Sequence, residues 1–359
     1  MSSAPARPAP QQRPLQRQPQ PSAPLVIYRG ETADVGPSAP SATLADIGYG
    51  PVHGRDADNP RRMVIGTPPI GPALRELWRL PAGTTDAGWS GDIGYVIGGG
   101  FLFAHLLIPE PAGADLAELT HQAYARLLAF VRASPCPELL RMWNYLDRIN
   151  DHAGGMERYQ AFCKGRAQAF VDADVPVHRF PAATAIGSPA QGLSVHLLAS
   201  RRQGTPIENP RQISAYHYPL PYGPRPPSFA RAMCYAGPLG SRELAISGTA
   251  SIVGHVTMHP KDLRRQVRET LRNLDMLADH ARLAPRRPAD PPLLLKVYLR
   301  DPTHLPEVAP AVRAWAGPMS RIMYLQGAIC RRALEIEIEA HCSTPRAGGH
   351  RRTYDQADH

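Results

Sequence analysis

The sequence predicts an α+β protein of two related halves, with mixed sheets packed against helices. Three observations lead there. The chain has 359 residues, more than one compact core usually holds. Apolar periodicity gives each half the same rough order of strands, helix, strand, helix, strands. Both ends of the chain hold too few hydrophobic residues to offset the entropy of ordering, so disordered N-terminal and C-terminal tails are expected.

Residues 1–42, made mostly of Pro, Ala, Ser, Gln and Arg, form the first expected tail. A first domain follows over 43–205. Its strands read from "GYVIGGGFLFAHLLI" (94–108), split by the glycines. A helix over 114–133 sets Leu116, Leu119, Ala123, Leu127 and Phe130 on one stripe. A strand or short helix near 138–147, a helix over 156–173 and a strand over 191–199 complete the half. The segment "RRQGTPIENP" (201–210) reads as the join. The second domain, 206–342, is expected to hold strands at 212–218, 231–236 and 243–253, then a long helix over 261–283. A strand at 293–299, a helix at 305–315 and strands at 321–326 and 333–340 close it. Residues 343–359 are the second expected tail. The halves share no visible sequence identity, so their kinship rests on element order alone.

The net charge of +9 favours an anionic partner, either nucleic acid or a small carboxylate. No helix-turn-helix, zinc finger or aromatic RNA-binding pattern is present, which argues against nucleic acid. The five cysteines are widely spaced and contain no CxxC pair. That argues against a disulfide framework or zinc ribbon and for a reducing cytoplasm. No run of about 18 apolar residues suggests a membrane span. The N-terminus lacks the apolar core of a signal peptide. A cytoplasmic protein without a membrane partner is expected.

Four stretches hold side chains capable of chemistry. In "LEIEIEAHC" (334–342), Leu334, Ile336 and Ile338 alternate with Glu335, Glu337 and Glu339. The glutamates read as a solvated strand face or as a face holding one pocket acid. On the helix "MERYQAFCKGRAQAF" (156–170), Tyr159, Cys163, Arg166 and Phe170 fall on one face. Tyr159 and Arg166 stand two turns apart, roughly 10 Å along the axis. A half-buried arginine needs an anion, supplied by an internal carboxylate or by a ligand. "AYHYPLPYGPRPPSFARAMCY" (215–235) holds Tyr216, Tyr218, Tyr222, Arg225 and Arg231 among prolines. It suits a stiff recognition loop or a braced connection between domains. In "ISGTASIVGHVTMH" (246–259), Gly248 marks a close approach within a strand. His255 and His259 have no third ligand nearby, so no metal site is expected.

The segments "VYLRDPTHLPEVAPAVRAWAG" and "SRIMYLQGAICRRALEIEIEA" resemble the C-terminal half of the RidA/YjgF fold. In that family an arginine holds a substrate carboxylate and the first glutamate of the closing strand works beside it. Arg321 and Glu337 match those places. Together with "RYQAFCKGR", "YHYPLPYGPRPPSFARA", "ISGTASIVGH" and "QVRETLRNL", these motifs resemble the chorismatase family over most of residues 45–341. That resemblance implies two RidA/YjgF-like halves in one chain. It implies cleavage of the enolpyruvyl ether of chorismate, releasing pyruvate with no cofactor and no metal. Carried over residue by residue, Glu337 matches the catalytic acid. Tyr159, Arg166, Tyr218 and Arg231 match the substrate-binding set, with the choice among Tyr216, Tyr218 and Tyr222 left open. Gly248 and Cys330 together match the branch that forms 3-hydroxybenzoate, including members that also give 4-hydroxybenzoate. The hydrolytic branch, giving a dihydroxycyclohexadiene carboxylate, typically has Ala at the place of Gly248. A RidA-type imine or enamine hydrolase is a rival within enzymes. A small-metabolite sensor is the rival outside them. A monomer is expected, because a chain of double length can hold its own cleft.

Overall fold

The computed structural model describes residues 26–30, 42–81, 83–153, 155–281 and 293–344. Most of both expected tails lies outside these residues. Residues 26–30, expected to be disordered, instead form a strand, because the apolar Val26 is buried opposite Trp78.

Among the described residues, three large sheets and two small hairpins make the molecule. The first contains β1 (Val26–Gly30), β2 (Thr43–Tyr49), β3 (Gly54–Arg55), β4 (Arg62–Ile65) and β5 (Leu74–Arg79). The sequence reading gives no element here, since these strands are short and separated by irregular polar turns. The first half continues with β6 (Asp86–Ser90), β7 (Ile93–Gly98), β8 (Phe101–Ile108), α1 (Leu116–Ala133) and β9 (Glu138–Asp147). A small hairpin, β10 (His152–Ala153) with β11 (Met156–Glu157), leads into α2 (Arg158–Asp172). Then come β12 (Ala182–Ser188) and β13 (Leu193–Ser200).

The second half contains β14 (Thr205–Ile207), β15 (Ala232–Ala236), β16 (Arg242–Thr249) and a hairpin of β17 (Ile252–Val253) with β18 (Val256–Thr257). It continues with α3 (Leu263–His280), β19 (Leu294–Leu299), α4 (Leu305–Ala316), β20 (Arg321–Gln326), β21 (Ala328–Ile329) and β22 (Ile336–Thr344).

The two larger sheets repeat one topology. The seven-stranded sheet runs β21-β12-β9-β13-β8-β7-β6, and the six-stranded sheet runs β14-β15-β16-β22-β19-β20. In each, a helix links a parallel pair, β9–α2–β12 or β19–α4–β20. The last long strand of each half inserts antiparallel beside the first of that pair. The kinship inferred from element order is therefore visible in the strand order. β21 crosses over, leaving the second half to pair with β12 of the first.

One face of each sheet turns toward a shared core that includes Trp78, Trp143, Tyr145, Tyr298 and Met323. Helices α1 and α2 cover the outer face of the seven-stranded sheet. Helices α3 and α4 cover that of the six-stranded sheet. Helix α1 approaches α2 at Gly165, where a β-carbon would collide with the backbone of Ala117.

One expected element differs, and one further strand is unexpected. Residues 212–218, expected as a strand, form an irregular strap with a short 3-10 turn at Ala215–His217, followed by another at Leu220–Tyr222. The prolines that follow cannot donate ladder hydrogen bonds, so the strap passes beside the sheet rather than joining it. The strand β12, "AATAIGS", has no counterpart in the sequence reading. Its small residues lack strand-forming bulk because neighbours press close: a β-carbon at Gly187 would come within 2.7 Å of the Ala328 β-carbon.

Candidate active site

The seam between the two larger sheets encloses a cavity of about 270 Å³. Seven of the eight site residues named from sequence line it: Glu337, Tyr159, Arg166, Tyr218, Arg231, Gly248 and Cys330. Arg321 does not. It opens β20 opposite Leu294 and is exposed, whereas Glu337 lies opposite Tyr298. Four residues along β19 separate the two levels, roughly 13 Å at strand rise. Arg321 also sits on the next strand out from β19.

The glutamates of "IEIE" meet unlike surroundings. Glu337 is buried and faces the cavity. Burial pushes its carboxyl up to about 8. The nearby Glu339 charge adds to the rise, while Arg141 and Arg231 oppose it. Glu339, open to a solvated reading in the sequence, is instead buried between the sheets. It accepts from Lys296 Nζ at 2.6 Å, Trp143 Nε1 at 2.9 Å, Arg141 Nη2 at 2.8 Å and Thr184 Oγ1 at 2.6 Å. Burial alone would raise its pKa, but Lys296 and Arg141 outweigh that and lower it. Lys296 also reaches Glu76 of the first sheet at 2.9 Å. Glu335 remains half-buried, at the mouth of a separate groove beside Arg300.

A bulge brings Gly248 to the cavity. Ile246 pairs with Ala340 and Thr249 with Ile338, so β16 holds one extra residue there. Such bulges bend a strand and re-aim its residues. The other sheet satisfies the displaced backbone: Gly248 N donates to Thr184 Oγ1 at 3.0 Å. Ser247 Oγ accepts from Ala183 N at 2.8 Å. A β-carbon on Gly248 would overlap Oε1 of Glu337 and stand 2.8 Å from its Cδ. The space left by this glycine is therefore occupied by the Glu337 carboxyl.

Two arginines face the same space with spare hydrogen-bonding capacity. Arg166 is 3 % exposed, and its Nε and Nη2 have no hydrogen-bond partner. It stacks near Tyr124 and Phe170 on the expected face of α2. No internal carboxylate meets it among the described residues, so the ion-pair alternative from sequence does not hold. Arg231 donates from Nη2 to Ile213 O at 2.9 Å and Tyr218 Oη at 2.7 Å, leaving its buried Nε unpaired. Unpaired buried guanidinium groups are costly unless an anion arrives.

Position sets one of the three tyrosines apart. Tyr218 and Tyr222 line the cavity, while Tyr216 packs edge-on against Phe180. Burial holds the Tyr159 phenol well above its usual range, so it is a neutral donor. Burial, with Glu337 beside it, pushes the Cys330 thiol up to about 12, which makes it a neutral wall and not a thiolate. Sequence reasoning missed Thr184 and Arg331. Arg331 lies over Tyr222 at 4.2 Å and donates to His255 O at 2.7 Å. Its place beside Cys330 was the available signal. The lone charged residues inside apolar strands, Arg141 in "ELLRMWNYLD" and Lys296 in "LLKVYL", were the signal for the Glu339 network.

His255 and His259 take different partners, Tyr222 and Glu269. Among the described residues, no three His, Cys, Asp or Glu side chains converge as metal ligands. No helix among them is long and apolar enough to cross a membrane.

Comparison with known proteins identifies the family. A sequence model of the chorismatase FkbO/Hyg5-like N-terminal domain matches residues 76–199. A 3-hydroxybenzoate synthase of Streptomyces hygroscopicus is 38% identical over 282 residues, covering 76% of this chain and 82% of that protein. A chorismatase of the same species is 34% identical over 287 residues, covering 78% and 82%. A chorismatase crystal structure superposes with a TM-score of 0.80 at 31% identity, covering 89% of this chain and 98% of that one. Similarity of this order over most of the chain, on the same fold, shows that the chain belongs to the chorismatase family.

Proposed function

We propose that the protein splits chorismate into pyruvate and 3-hydroxybenzoate, with Glu337 as the proton donor. One observation carries the reading. A buried carboxyl with a pKa of about 8 shares a cavity with two arginines that each keep at least one buried N–H without a partner. Chorismate is a dianion, with one carboxylate on the ring and one on the enolpyruvyl arm. Arg166 and Arg231 suit those carboxylates, since guanidinium and carboxylate form charge-assisted forks. Tyr159 and Tyr218 line the same space and bring phenolic oxygens to it.

The chemistry begins with a proton delivered to the enolpyruvyl methylene, forming an oxocarbenium ion. Free Glu titrates near 4.3 and is mostly ionised at neutral pH. A carboxyl held near 8 is mostly protonated there and can act as the acid. After transfer, the Glu337 carboxylate faces the cation it has made and stabilises it. Internal reaction of the ring 4-hydroxyl then breaks the C3–O bond. Pyruvate leaves with the ether oxygen, the hydroxyl oxygen stays on the ring, and the one proton lost as the ring aromatises restores Glu337. Pyruvate and hydroxybenzoate together contain all the atoms of chorismate with nothing added. Attack by water instead adds one water and leaves the ring unaromatised. Gly248 and Cys330, the pair expected of the hydroxybenzoate branch, line the cavity beside Glu337. The 3-hydroxybenzoate synthase relative supports the same branch.

The test is direct. Purified protein is incubated with chorismate and no additive, and products are identified by chromatography. Pyruvate and 3-hydroxybenzoate in equal amounts are expected. Unchanged chorismate overturns the proposal, and a dihydroxycyclohexadiene carboxylate as main product moves the protein to the hydrolytic branch.

A further inference from the structure

We propose that Glu339 is a positioning residue for the Glu337 acid, acting through its fixed charge and through the Thr184 bridge to Gly248. The inference rests on the reading of Glu337 as proton donor.

The geometry is a chain of contacts across the sheets. Glu339 is held on both oxygens by buried donors: Lys296 and Trp143 on Oε1, Arg141 and Thr184 on Oε2. Thr184 Oγ1 in turn accepts from Gly248 N at 3.0 Å and Arg141 Nη2 at 2.5 Å. Gly248 is the residue against which the Glu337 carboxyl lies. The side chain that fixes Glu339 thus also fixes the backbone behind Glu337.

The electrostatics follow from the same placement. Glu339 stands two residues from Glu337 on one face of β22, in a buried setting where charges are poorly screened. Its negative charge disfavours ionisation of Glu337. The other groups facing Glu337 come from four elements. Arg141 on β9 and Arg231 just before β15 favour the ionised form. Tyr159 on α2 and Cys330 just after β21 are neutral. Arg166 lines the cavity from α2. Two arginines close enough to ionise the acid are thereby offset by one ionised carboxylate. Glu339 thus adds to burial in keeping the donor protonated while Arg231 stands ready for an anion.

The experiment compares wild type, Glu339→Gln and Glu339→Asp. Each is followed by the pH dependence of kcat/KM on chorismate. The Glu337 carboxyl is also titrated directly, by infrared difference against the matching protein that carries Glu337→Gln. Glu339→Gln is expected to lower the Glu337 midpoint and the alkaline limb of activity by about one pH unit or more. Glu339→Asp, which keeps the charge, is expected to leave both near their wild-type positions. Thr184→Val, which keeps every charge but cuts the bridge, is expected to lower kcat while leaving the limb in place. If Glu339→Gln does not fold, Thr184→Val still tests the bridge, and an unchanged kcat in that variant overturns the inference. An unmoved midpoint in a folded Gln variant overturns the inference, as does an equal shift in Gln and Asp variants. Failure of the functional reading looks different. Wild type then leaves chorismate unchanged, while the infrared titration still reads the effect of Glu339 on Glu337.

Discussion

Gly248 and the Glu337 carboxyl occupy adjoining space, so that a methyl on residue 248 and Oε1 of Glu337 cannot coexist as they stand. The family resemblance ties this glycine to product choice. The structure gives the space beside it to the proposed acid. Gly248→Ala must therefore swing the carboxyl, the free end of a flexible side chain, and press on Thr184 Cγ2, 3.1 Å away. Displacements of about 1 Å at reacting groups can cost around a hundredfold in rate. Total pyruvate release is expected to fall, and the share of 3-hydroxybenzoate to fall further in favour of the dihydroxycyclohexadiene carboxylate. Chromatography of both products checks it; an unchanged product ratio with Cys330→Ala added removes these two residues from product choice.

Glu337→Gln keeps the shape of the cavity and removes the transferable proton. Turnover is expected to drop by roughly a hundredfold to ten-thousandfold, the usual range for a general acid, with chorismate still bound. Steady-state kinetics and calorimetric binding separate the two effects. Turnover within about tenfold of wild type would assign the proton to another group.

The pH behaviour of stability has a definite sign. Folding raises the Glu337 pKa from the unfolded range to about 8. Between those values the folded state binds a proton that the unfolded state has released. The contribution of Glu337 to stability is therefore complete at acidic pH, below the unfolded value. It declines as pH rises toward 8. Urea midpoints measured across that window should decline less in Glu337→Gln than in wild type. Parallel profiles for the two proteins would mean that Glu337 is not held protonated.

Arg166→Lys keeps a charge but loses the fork. The expected result is a rise in KM of about 10- to 100-fold, as for a lost charge-assisted hydrogen bond, with a smaller change in kcat. If KM stays at the wild-type value, Arg166 does not hold a substrate carboxylate.

Lys296 is 2 % exposed and lies between Glu76 and Glu339. Lys296→Met leaves two buried carboxylates facing each other. A loss of about 3–5 kcal/mol in unfolding free energy is expected, the usual consequence of breaking a buried pair from one side. A denaturant midpoint close to wild type would show that the two carboxylates relax or take up a proton at little cost.

Much of this was readable in the sequence, for physical reasons. The face of α2 that holds Tyr159, Cys163 and Arg166 follows from helical spacing alone. The alternation in "IEIE" set Glu337 and Glu339 on one face. Alternation could not say that this face meets another sheet rather than water, so Glu339 was left open. β12 escaped because its alanines and glycine answer to close packing by residues far along the chain. The first sheet escaped because its strands are short and owe their burial to the other two sheets. The strap at 212–218 misled because Ile213, Tyr216 and Tyr218 suggest a strand, and the prolines that prevent it come just afterwards. Arg321 matched a motif by order but not by level along β19.

The shared core has a consequence for how such a site can change. In an assembly of identical subunits, every substitution near one seam recurs at all of them. Here three unlike sheets meet, and Glu76, Lys296, Arg141 and Glu339 join them at their common centre. A residue such as Gly248 exists once, at one seam. One junction is thus free to acquire a specialised acid and its anion clamps, while the other junctions keep only the duty of holding the molecule together.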